Sequence, residues 1–185
     1  MAILKAGSRL RHLVATLLAW SWTLSCTLLP TVEIQQGKPF PNVLLEDAEG
    51  NAVALDLKST GDNIVLVWAT WCPPCHEALP GLWEAVKGLP SSQRPNFILW
   101  NIDRDPNTAK AFLRQRIPNL GDAVIRFDPE GRQFQRLGAP GMPATFVVMG
   151  GIVRAVFVGY QPAGPKRVLQ ILQAAQAKPA NGTKD

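Results

Sequence analysis

Apolar residues along this chain fall into short blocks of two alternating kinds. Ile64 to Ala69 is an unbroken apolar run rich in β-branched residues and preceded by Gly61-Asp62-Asn63. That pattern predicts a strand buried on both faces. From Pro73 to about Lys87 the apolar positions Leu79, Leu82, Trp83 and Val86 recur at helical spacing. A second strand-like run, Phe97 to Ile102, leads into a second helical pattern at Ala109, Phe112, Leu113 and Ile117. Ala123 to Phe127 predicts a third strand. Strand, helix, strand, helix, strand predicts parallel pairing with helices packed on the sheet.

On either side of this unit the pattern changes. Val43-Leu44-Leu45 and Val53-Ala54-Leu55 flank the turn signal Glu49-Gly50-Asn51, which predicts an added N-terminal β-hairpin. Ala144 to Met149 and Val153 to Val158 flank Gly150-Gly151, a second hairpin. Val168, Ile171, Leu172 and Ala175 predict a closing helix. The fold class is therefore α/β, a central mixed β-sheet flanked by helices.

The first 30 residues follow another rule. Residues 1–11 carry Lys5, Arg9 and Arg11, and Leu13 to Leu29 hold no charge, the layout of an export signal. Positive charge kept inside sends the chain after Pro30 across the membrane. The 17 uncharged residues exceed the roughly 7 to 15 of a signal-peptide core and reach the lower limit of a spanning helix. A cleaved signal and an uncleaved anchor both fit, and the lack of an Ala-x-Ala site before Pro30 favours the anchor. Cys26 could carry lipid, but Thr23 stands where such signals usually hold a large aliphatic residue, so it is read as a small apolar membrane residue. The expected division is an anchor over 1–30, a polar linker over 31–41, one domain over 42–177 and a frayed tail over 178–185. Its expected location is the periplasmic side of the inner membrane.

Composition changes this picture little. The formal charge of +5 is concentrated at the start, and from residue 31 onward 16 Lys and Arg face 14 Asp and Glu. Those charges are scattered and alternate in sign, as in Asp103-Arg104-Asp105, and read as solvated surface. No nucleic-acid partner is expected. Three cysteines are too few for a disulfide scaffold, and two of them form one C-x-x-C.

Cys72 follows the first buried strand and opens the first helix of the domain. A helix N-terminus presents unsatisfied N–H groups and about half a positive charge, both of which favour a thiolate. Cys72 is thus the expected nucleophile. Pro73 and Pro74 suit the first helical turn, where a missing N–H does no harm. Cys75, a turn further on and less exposed, can attack the mixed disulfide and release a reduced substrate.

The strand, Trp71-Cys72-Pro73-Pro74-Cys75 and Pro80 together resemble the thioredoxin superfamily. Within it the chain resembles the extracytoplasmic TlpA, ResA and DsbE type, which includes thioredoxin-like proteins of cytochrome c maturation. The likeness runs from about Gly37 to Gln161: GKPFPNVLLEDAEGNAVALDL resembles the family's N-terminal hairpin, VLVWATWCPPC its active site and FDPEGRQFQRLGAPGMPATFVV its later half. The resemblance implies a thioredoxin-like fold and a thiol:disulfide oxidoreductase working as a reductase. It implies no cofactor beyond a redox-active Cys72–Cys75 disulfide. Exported proteins with disulfides, such as apocytochrome c or copper-site assembly proteins, would be the substrates, and a membrane thiol reductant the electron donor. It further implies that Trp71 shapes the rim of the site, that Pro143 is a cis-proline, and that Met142 and Pro143 lie beside the cysteines. There the Met142 backbone would pair with an extended substrate segment. The chain departs from its relatives where they carry acids: Leu66 stands six residues before Cys72 and Ala78 three after Cys75. Glu77 is one residue, about 100° of helix, from the second position and is read as a surface charge.

Three other readings use the same residues. Cys72-Pro73-Pro74-Cys75-His76 is literally the C-x-x-C-H of covalent haem attachment, but the preceding strand, Pro80 and Pro143 favour redox chemistry. Cys72, Cys75 and His76 could ligate copper or zinc in a binding or delivery module, with only three ligands in view. A cysteine hydrolase would lack a second exported histidine to act as base. His76 is otherwise expected to be a partly exposed helix residue adding local positive potential.

Overall fold

The computed structural model describes residues 34–177. The expected export segment, Cys26 and the C-terminal tail lie outside these residues. Among the described residues no helix is long and apolar enough to cross a membrane.

Among the described residues seven strands form one mixed sheet in the order β2-β1-β5-β4-β3-β6-β7. They are β1 (Leu44–Glu46), β2 (Ala52–Ala54), β3 (Asp62–Trp68), β4 (Asn96–Asn101), β5 (Val124–Phe127), β6 (Ala144–Met149) and β7 (Ile152–Val158). β3 pairs parallel with β4, and β4 with β5. The hairpin β1–β2 joins the edge of β5 antiparallel, and β6 and β7 extend the sheet antiparallel from β3. Among the described residues the α-helices are α1 (Pro73–Lys87), α2 (Pro106–Arg116), α3 (Arg132–Arg136) and α4 (Gly164–Gln176).

Side chains that alternate along each strand feed two apolar clusters. On β3, Ile64, Leu66 and Trp68 enter one cluster with residues of α1, α2 and α4. Val65 and Val67 enter the other with Phe40, Leu45, Leu55 and Phe134 of α3. β3 is thus buried on both sides, the reason its sequence shows no polar alternation. Gly151, at φ +77, closes the β6–β7 turn, where a Cβ would stand 2.6 Å from Cγ of Lys58.

From its first described residue, Ile34, the segment expected as a polar linker is bound to this body. Gly37 and Phe40 donate their N–H groups to the carbonyls of Val153 and Gly151, each at 2.8 Å. Phe40 is buried edge-on against Phe146, 5.8 Å between ring centres. One buried aromatic and a row of backbone partners outweigh the polar composition of the stretch.

Candidate active site

β3 ends at Trp68, and after four intervening residues the chain enters α1 at Pro73. Cys72 is the residue before that helix, in extended conformation, with Pro73 and Pro74 in the first turn. A turn closed by Cys72 N–H to the Ala69 carbonyl (3.2 Å) lifts Cys72 to the helix mouth. Cys75 N–H then donates to the Cys72 carbonyl at 3.0 Å, and the two cysteines are joined by a disulfide. Cys72 is 6% exposed and Cys75 wholly buried, so an incoming sulfur can reach only the first. Trp71, at 62% exposure, stands clear of the body beside Cys72, whereas Trp68 and Trp100 are core residues.

The Met142–Pro143 peptide bond is cis. Val67 of β3 faces Ala144 of β6 across the sheet. Met142 and Pro143 therefore lie past the end of β3 that leads to the cysteines. Met142 and Trp71 line one open groove of about 800 Å³, together with Thr70, Arg104, Asp105 and Glu130. Pro143 lines a separate small pocket with Ala78, Leu82 and Tyr160. Leu66 is sealed in the core and Glu77 is exposed on α1.

Asp103 corrects the reading of its charge run as solvated surface. Only 3% exposed, it leaves the end of β4 and turns its carboxylate onto the loop before Cys72. Thr70 N–H donates to both carboxylate oxygens at 3.1 Å, and the Thr70 hydroxyl donates to Oδ1 at 2.9 Å. Asn101 Nδ2 donates to Oδ2 at 2.7 Å, and Asp103 N–H returns a bond to Asn101 Oδ1 at 3.0 Å. From the other side, His76 Nε2 lies 2.8 Å from the Thr70 carbonyl, and its ring packs on Phe112 at 4.8 Å. His76, partly exposed on α1 as its sequence position suggested, is thus tied into the loop. The sequence signal for the carboxylate was available: Asn101 and Asp103 are polar residues two apart at the end of a buried strand, and so share a face. Among the described residues, no group of three or more His, Cys, Asp or Glu side chains is placed to hold a metal ion.

A mixed sheet with a parallel centre, a cysteine pair opening the helix after its middle strand and a cis-proline at the same end define the architecture of the thioredoxin superfamily. The Redoxin family model matches residues 35–172, and the chain belongs to that family. It is 35% identical over 127 residues to the thiol:disulfide interchange protein DsbE of Escherichia coli K12. That match covers 64% of this chain and 62% of the relative, less than two thirds of the relative's length. The thiol-disulfide oxidoreductase ResA of Bacillus subtilis is 26% identical over 126 residues, covering 66% and 68% of the two chains. The crystal structure of a DsbE-type thiol:disulfide interchange protein from Chlorobium tepidum superposes with a TM-score of 0.67 at 26% identity, covering 77% of this chain and 99% of that one.

Proposed function

We propose that the chain is a thiol:disulfide oxidoreductase that reduces disulfides of exported proteins. The observation that carries this reading is the placement of Cys72 at the mouth of α1, disulfide-linked to a buried Cys75 one turn further on. In the reduced pair, the Cys72 thiolate attacks one sulfur of a substrate disulfide, and the other substrate sulfur leaves as a thiolate. The Cys75 thiolate then attacks Sγ of Cys72, forming the Cys72–Cys75 disulfide and releasing the second substrate sulfur as a thiolate. Two electrons pass to the substrate, and a membrane thiol reductant returns them to the pair. The helix N-terminus stabilises the Cys72 thiolate both as nucleophile and as leaving group. Trp71 and Met142 line the groove on which the substrate segment lies, and cis-Pro143 follows Met142 at the same end of the sheet.

Likeness to DsbE and ResA supports substrates of the kind handled in cytochrome c maturation or copper-site assembly, at the periplasmic face of the inner membrane. A Cys75→Ala variant, purified from its own host, is expected to retain exported cysteine-containing proteins disulfide-linked to Cys72. If the linked species are absent, or form only on Cys75 in a Cys72→Ala variant, the assignment of roles fails. A membrane-impermeant thiol reagent is expected to reach Cys72 in cells whose outer membrane has been permeabilised. Protection until the inner membrane is lysed overturns the periplasmic location.

A further inference from the structure

We infer that Asp103 and His76 are positioning residues of the exchange site, gripping Thr70 from opposite sides and so fixing the turn that carries Cys72. The inference rests on the reading of Cys72 as the exchanging thiol. Thr70 lies two residues before Cys72, inside the Ala69–Cys72 turn, so a shift at Thr70 moves the Cys72 sulfur relative to the first N–H groups of α1. Every polar group of Thr70 is engaged by one of the two residues. Asp103 takes the N–H and the hydroxyl, and His76 takes the carbonyl.

The chemistry of each contact is unambiguous. A carbonyl oxygen only accepts, so His76 Nε2 carries a hydrogen in the bond to Thr70. Asp103 lies where water is scarce, and its carboxylate is offered three donor groups, from Thr70 and Asn101. Removing any of them leaves part of a buried charge unsatisfied, which makes the loop's position strongly preferred over its alternatives. Elsewhere this network would only add stability. Two residues from a sulfur whose reactivity depends on alignment with a helix end, it also sets the rate.

Two pairs of variants test this in the full-length protein. His76→Phe keeps an aromatic ring for Phe112 and removes the donor to Thr70, while His76→Gln keeps an N–H donor at the end of a side chain of similar reach. Thr70→Val removes one donor to Asp103, and Thr70→Ser keeps it. The readouts are the rate at which the reduced protein exchanges with an aromatic disulfide reagent and the pH midpoint of Cys72 thiolate formation, followed by ultraviolet absorbance. Other charged groups near the two residues, Arg104, Asp105 and Glu130 in the groove and Glu77 and Arg116 beside His76, stay unchanged throughout the series.

His76→Phe and Thr70→Val are expected to exchange about fivefold or more slowly, with the midpoint raised, and the conservative partners to recover most of the rate. Folded His76→Phe and Thr70→Val proteins with wild-type rate and midpoint overturn the inference. An inactive wild type instead sinks the reading of Cys72 itself. Nitrogen NMR of wild-type His76 gives an answer that does not depend on any variant folding: the neutral ring is expected as the Nε2–H tautomer, and an Nδ1–H tautomer also overturns the inference.

Discussion

β3 and β4 are laced together by a polar cluster at each end, and the two clusters differ in what they can influence. At the beginning of the strands, buried Asn63 accepts from the Thr60 hydroxyl (3.0 Å) and from Asn96 Nδ2 (3.2 Å), and donates to the Gly61 carbonyl (2.8 Å). At their far end, Asp103 and Asn101 hold Thr70 in the same manner, with side chains bonded to the backbone of the loop at the strand's end. The first cluster is neutral and lies a strand's length from the cysteines. The second contains a carboxylate and a histidine, with Thr70 two residues before Cys72 and His76 directly after Cys75. Similar hydrogen bonding therefore does two jobs, and location decides which.

The sharpest separation of the two ends comes from Cys72→Ser, which is expected to lower exchange by at least roughly 10³-fold because an alcohol at this position has no usable anion at neutral pH. Turnover of a small disulfide against a thiol reductant measures it, and substantial residual activity breaks the assignment. Asn63→Ala is the matching change at the quiet end. It removes one acceptor from the Thr60 hydroxyl and Asn96 Nδ2 and the side-chain donor from the Gly61 carbonyl, and is expected to lower stability by about 1–3 kcal/mol in denaturant titration. Its exchange rate should stay within about twofold of wild type, and a larger change would show that the two ends are coupled.

A smaller effect is expected at the β1–β2 turn. There the Asn51 side chain, the Asn51 N–H and then the Glu49 N–H hold the exposed Asp47 carboxyl below its ordinary value of 3.8. The folded value lies below the unfolded one, so this contribution is present above the ordinary carboxylate range and fades as pH falls through the lowered value. Asp47→Asn should flatten the acid limb of the stability curve slightly and leave the neutral region nearly unchanged. Unfolding midpoints measured across that limb check it, and an unaltered slope counts against the turn bonds. The smallest expected change is at Glu77→Gln, an exposed site beyond the cysteines. Exchange against pH should match wild type, whereas a tenfold loss, about 1.4 kcal/mol in barrier, would make Glu77 a proton-transfer group.

Where local pattern and environment agree, the chain could be read directly. The run from Ile64 became β3 because its residues are apolar on both faces, and Cys72 caps α1 because prolines suit the positions just after it. Residues 34–41 and Asp103 escaped that logic for a shared reason. Phe40 and Asp103 are each single residues in polar surroundings, and their burial depends on partners more than thirty residues away or on the far side of the sheet.

By itself, the sequence determined the strand and helix order, the parallel centre of the sheet, the cysteine pair and its helix-mouth position, since each follows from neighbours within a few residues. Tertiary structure decided which polar groups meet at the end of β3: that Asp103 and His76 converge on Thr70, and that Met142 and Trp71 share a groove while Pro143 opens onto another pocket. Hydrogen bonds are short-ranged and directional, so spacing along the chain cannot announce them until the sheet has brought distant strand ends together.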